Sequence, residues 1–106
     1  MHAKLPAGVR TKVELFELLA SVLQFPDYFG RNWDALDECI GDLEWLPSGQ
    51  VILEHADVPL LGDLANARIY VSVLDDAIER FARSPDRSIL FVFPTEAAAV
   101  IARLRG

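Results

Sequence analysis

Three short apolar runs, each separated from the next by a long helical tract, constrain this chain more than any other feature. They lie at residues 3–5, 51–54 and 88–93. Strands joined through helices pair in parallel, because such a connection has to cross back over the sheet. The fold class expected is therefore α/β: a small three-stranded parallel sheet packed by helices, with an extra C-terminal helix. A chain of 106 residues, 52% of them apolar, supports one core and is too short for two. One domain over 1–106 is expected, since no repeat, linker or low-complexity tract interrupts it.

The punctuation between the runs is local chemistry. Pro6 and Gly8 break the first strand. Thr11 with Glu14 three residues on is a capping box, opening a helix to about residue 23. In it Glu14, Glu17, Ser21 and Gln24 recur at helical spacing, with Val13, Leu15, Phe16, Leu18, Leu19, Val22 and Leu23 between them. That pattern predicts one narrow wet stripe and burial of the rest. Pro26 ends this helix, Gly30 allows the next turn, and Asn32 caps a second helix predicted to reach about residue 43. Trp33, Leu36, Cys39, Ile40 and Leu43 would face inward. A short helical turn is expected at 58–61, and a longer helix at 65–82 with Ile69, Val73, Ala77 and Phe81 on one face. The continuous apolar run at 88–93 reads as a strand covered on both faces. Pro94 stops it, and Thr95 caps a last helix at 96–104 that ends among Arg103 and Arg105.

Charge narrows the function. The net charge of −6 repels phosphates, so direct binding of nucleic acid is not expected. An acidic surface suits a basic macromolecule, whose opposite field speeds encounter. Eight acids (Asp34, Asp37, Glu38, Asp42, Glu44, Glu54, Asp57 and Asp63) fall between residues 32 and 67, a stretch without Lys or Arg. Asp34 and Glu38 stand four apart on one helical face, where like charges cost about 0.2–0.5 kcal/mol. Stability alone does not favour such a face, but a partner presenting Lys and Arg turns the repulsion into attraction. Tyr28, Phe29 and Trp33 add aromatic area beside the carboxylates, the kind of residue in which interface energy concentrates. Phe29 and Trp33 fit a core position as well as an interface. The candidate partner-binding set is Tyr28, Phe29, Gly30, Asn32, Trp33, Asp34, Asp37, Glu38 and Asp42.

Other classes are poorly served. No apolar run approaches bilayer length, and the opening MHAKLPAGVR has neither the apolar stretch nor the cleavage site of a secretory signal. A lone Cys39 forms no internal disulfide and suits a reducing compartment, so a cytoplasmic protein is expected, with a monomer favoured. Asp34 and Glu38 resemble an acid–base pair, but neither His2 nor His55 falls in a recognisable motif and no glycine-rich phosphate loop exists. Glu54, His55 and Asp57 lack metal-ligand spacing. The reading is of a binding protein rather than an enzyme, with no cofactor and no metal.

The stretch FPDYFGRNWDALDECI, residues 25–40, is similar to a known pattern: Pro, acid, Tyr, aromatic, Gly, any residue, Asn, bulky, Asp-Ala-Leu, two variable residues, Cys. By it the chain resembles the barstar-like ribonuclease inhibitors. The resemblance implies an intracellular inhibitor of a secreted basic ribonuclease, whose second helix and preceding loop plug the enzyme's active site. It implies that Asp34 pairs with basic residues of the nuclease and that Glu38 reaches its phosphate-binding site. Tyr28 would pack on the catalytic region, and Asn32 would cap the helix. There are departures. The family's best-characterised inhibitor has Asp where this chain has Glu38, and Trp where it has Asp37. It also ends after its last strand, before the equivalent of residues 94–106. A further family glutamate has no clear counterpart, since Glu79 and Arg80 lie equally near its place. A toxin nuclease of another system, or a non-nuclease basic partner, would suit the same acidic face.

Overall fold

The computed structural model describes residues Met1–Gly106. Strand β1 (His2–Leu5) is followed by α1 (Lys12–Val22), α2 (Trp33–Ile40), β2 (Gly49–His55), α3 (Leu64–Phe81) and β3 (Arg87–Val92). A 3-10 turn (Thr95–Ala97) then leads into α4 (Ala98–Arg105). The three strands form one parallel sheet in the order β1-β2-β3. The α/β class, the three parallel strands and the additional C-terminal helix are all present. No helix is long and apolar enough to cross a membrane.

Both connections step across the sheet in the same direction, and crossovers of one hand then put their helices on one face. Burial follows the register. Ala3, Leu5, Val51, Leu53 and His55 are buried, and Ile89 and Phe91 pack against the same core. Leu53 pairs with Ala3 on one side and Phe91 on the other, so these residues share the helix-covered face. His2, Lys4, Ser88 and Leu90 point the opposite way and are exposed. The expectation that residues 88–93 are covered on both faces is thus corrected: β3 is an edge strand with one covered face, and Leu90 is 46% exposed.

The helices show similar adjustments. Thr11 caps α1 through its hydroxyl, which accepts from the Glu14 amide at 3.2 Å. Its wet side is wider than the single stripe expected, since Val13 is 63% exposed. No helical turn forms at 58–61. Residues 59–62 make an irregular turn, with Leu60 at φ 67° and its side chain in the core. Helix α3 is capped by Asp63 and buries Tyr70, Val73, Leu74, Ala77 and Phe81, while Ile69 points outward instead of joining that face.

Helix α2 stops at Ile40, three residues short of the expected end. Gly41 caps it and Leu43 adopts φ 49°, which turns the chain while keeping Leu43 in the core. The reason lies in β3. The Arg87 guanidinium donates to the carbonyl of Leu43, to that of Glu44 at 3.0 Å and to that of Leu46 at 2.5 Å. One side chain thereby satisfies the carbonyls of Glu44 and Leu46, which have no main-chain donor, and adds a second bond to that of Leu43, which also accepts from the Leu46 amide at 3.0 Å. Arg87→Ala is expected to lower the unfolding free energy by about 1.5–3 kcal/mol, the usual scale of hydrogen bonds to a charged group, since two of the three are partly buried. Equilibrium urea denaturation measures it, and an unchanged midpoint would show that water serves those carbonyls equally well.

Candidate partner-binding face

The loop before α2 is pinned from below by aromatic side chains. Phe29 sits edge-on to Phe25, with ring centroids 4.9 Å apart, and to Phe16 at 6.1 Å. Phe16 in turn meets Trp33 edge-on at 5.0 Å, and Phe25 meets Trp45 at 6.0 Å. Phe29 is only 5% exposed. It is a core residue, which corrects its place in the partner-binding set: its ring wedges the loop and has no surface to offer. With that wedge beneath it, Tyr28 is 76% exposed. Trp33 is half-buried, and its indole nitrogen donates to Asn66 Oδ1 at 3.1 Å, tying the start of α2 to the start of α3.

Asn32 caps α2 as expected, its Oδ1 accepting from the Ala35 amide at 2.8 Å. The turn before it draws on a different residue from the one expected. Arg31, not Gly30, takes the left-handed φ, at 50°. Gly30 serves instead by lacking a side chain, since a Cβ there would lie 3.3 Å from Asn32 Nδ2. Arg31 pairs with Glu17 on α1 at 2.5 Å, and this bond holds the Glu17 carboxyl below the usual range.

Asp34, Glu38 and Asp42 are exposed, and none forms an ion pair within the chain. Asp34 and Glu38 lie on α2, whereas Asp42 lies in the turn just beyond it. Asp37 is placed otherwise. It sits half-buried at the seam between α2 and α3, where Arg80 Nη2 donates to its Oδ2 at 2.6 Å and Nη1 to its main-chain oxygen at 2.8 Å. The run without a neighbouring base in sequence thus acquires one in space, and Asp37 drops out of the free carboxylates. Cys39 lies on the buried side of α2. Burial pushes its thiol pKa up, and the charges of Asp42 and Glu38 push it further, which leaves the thiol poorly reactive.

His55 is buried, with both ring nitrogens taken by the Val92 carbonyl and the Tyr70 hydroxyl. No three His, Cys, Asp or Glu side chains converge as ligands for a metal ion. Sequence spacing carries no sign of Arg80 and Arg87 beside α2, because both reach it from more than 40 residues away. Of the candidate aromatic and acidic residues, the exposed and unpaired ones form one stripe: Tyr28, then Asp34 and Glu38 on a capped helix, then Asp42.

The family model described as Barstar (barnase inhibitor) matches residues 4–93. The chain belongs to the Barstar family. The match covers the last two residues of β1, all of β2 and β3, and α1, α2 and α3, and the acidic stripe falls inside it. The 3-10 turn and α4 lie beyond the match. No curated protein matches the chain.

Proposed function

We propose that this Barstar-family protein is a monomeric, single-domain inhibitor that binds a basic ribonuclease inside the cell and closes its active site with the Tyr28–Asp42 stripe. The observation that carries this reading is the state of Asp34 and Glu38. Both are exposed, unpaired and held on a short helix fixed at its start by Asn32 and Trp33 and in its last turn by Arg80. Two rigid carboxylates on one face are a fair substitute for successive phosphates of an RNA chain. Tyr28 supplies aromatic contact area beside them. Inhibition then comes from occupying the nuclease cleft, and the protein itself performs no catalysis.

The test is calorimetric titration with a small, basic, secreted ribonuclease, paired with an RNA-cleavage assay. One-to-one binding is expected, with cleavage abolished at equivalence and association slowing as salt rises. Binding that leaves the nuclease fully active would sink the active-site reading, and the absence of binding across several basic ribonucleases would sink the inhibitor reading altogether.

A further inference from the structure

The Arg80–Asp37 pair has a built seat. Gly41 lies one turn beyond Asp37, and a Cβ on it would fall on the guanidinium and lie 2.9 Å from Arg80 Cδ. The missing side chain is what lets Arg80 lie flat across the end of α2 and reach two acceptors of one residue. The arginine side chain is nevertheless 44% exposed, against 31% for Asp37. A guanidinium carries five N–H donors. Two of Arg80's point at Asp37, so the others remain available at the surface. Arg31, pinned to Glu17, presents a fixed cation before the start of α2, and Arg80 presents one at its end.

We propose that Arg80 is a selectivity residue of the docking face. By holding Asp37 in an ion pair within the chain, it withholds that carboxylate from basic surfaces in general. It favours those that place an acceptor, a carboxylate or a carbonyl oxygen, opposite the end of α2. A partner with Lys or Arg at that point meets Arg80 and is repelled, which is discrimination by an unfavourable contact rather than by an added favourable one. The partner class is thereby narrowed from a basic cleft to a basic cleft with an acceptor set among its cations. This inference rests on the reading of the face as a ribonuclease-docking surface.

The experiment is stopped-flow association with the basic ribonucleases used above, comparing the parent with Arg80→Gln, Arg80→Lys, Arg103→Gln and the double variant Asp37→Asn/Arg80→Gln. Arg103 lies on α4, so its substitution changes the net charge equally at a remote site. With a ribonuclease that sets only Lys and Arg opposite the end of α2, Arg80→Gln is expected to associate roughly 3–10-fold faster at low ionic strength, with a steeper dependence on salt, because Asp37 is released; with one that sets an acceptor there, it should associate more slowly. Arg103→Gln should gain far less, Arg80→Lys should stay near the parent rate, and the double variant should lose the gain. If Arg80 merely braced α2, Arg80→Gln would bind both kinds of ribonuclease more slowly or release both faster. Parent binding with Arg80→Gln no faster than Arg103→Gln on the wholly cationic cleft overturns this inference alone. A parent that binds no basic ribonuclease overturns the functional reading, and this inference with it.

Discussion

Glu38→Ala is expected to remove most of the affinity for the ribonuclease while leaving the isolated protein as stable as its parent or slightly more so. The two halves of that result have separate causes. In the free protein Glu38 is exposed, has no ion pair, and stands one helical turn from Asp34, with Asp42 in the turn just beyond the helix. Like charges at helical i,i+4 spacing cost about 0.2–0.5 kcal/mol, so truncation relieves repulsion and breaks no ion pair. In the complex the same carboxylate would be desolvated among cations. Close charge pairs in the barnase–barstar complex, the very system for which this family is described, couple by about 1.5–7 kcal/mol. That range belongs to the measured complex and sets only the scale expected here. An ordinary exposed pair is worth about 0–1 kcal/mol, so a large loss would mark Glu38 as buried in the interface rather than lying on its rim. Titration with the ribonuclease gives the first quantity and urea denaturation of the free protein gives the second. Unchanged affinity would remove Glu38 from the site, and a markedly destabilised free protein would make it a structural residue.

The like charges that cost α2 stability are the ones proposed to bind, and that clustering was legible in the sequence. So were the parallel α/β architecture, the capping by Thr11 and Asn32, and the exposure of Tyr28, each of which rests on interactions within a few residues. Wherever a distant side chain intervened, local reasoning fell short. The helical pattern through Leu43 was sound as a pattern of burial, since Leu43 is in the core. It failed as a pattern of helix because Arg87 rewards the carbonyls of a non-helical turn. Asp37 looked like its neighbours until Arg80 reached it across the α2–α3 seam. The run at 88–93 suggested burial on both faces because it is apolar throughout. The topology, with every helix on one side, decided otherwise. Phe29 belonged to the core for a reason of shape that composition does not encode: the rings of Phe16, Phe25 and Trp33 form one edge-on cluster with it.

His55 supplies the second large effect, and its sign follows from where the ring sits. It closes β2 on the covered face, stacked on Phe93 with centroids 4.0 Å apart and planes at 16°. A carbonyl oxygen only accepts, so Nδ1, 3.1 Å from the Val92 oxygen, carries the proton. Nε2 is then the acceptor for the Tyr70 hydroxyl at 2.7 Å. The phenol of Tyr70, itself fully enclosed, is pushed well above its ordinary pKa by burial and stays a donor. Burial likewise lowers the His55 pKa from 6.5 to about 4, outweighing the opposing pull of the Val92 and Leu53 main chain and of Asp57. As pH falls, the unfolded chain takes up this proton first, while the folded one refuses it until much lower pH. The stability contribution is therefore whole above the unfolded value of 6.5 and drains away down to about 4. A displacement of that size corresponds to about 3 kcal/mol, a large share of what holds a small domain together. His55→Gln keeps a donor for Val92 and an acceptor for Tyr70 but cannot be protonated. Urea denaturation across that pH interval should show the parent losing stability steeply and the glutamine variant losing only what its carboxylates lose. Parallel curves for the two proteins would mean that the folded state accommodates a charged imidazole, and that the Tyr70–His55–Val92 chain opens to water well before the fold does.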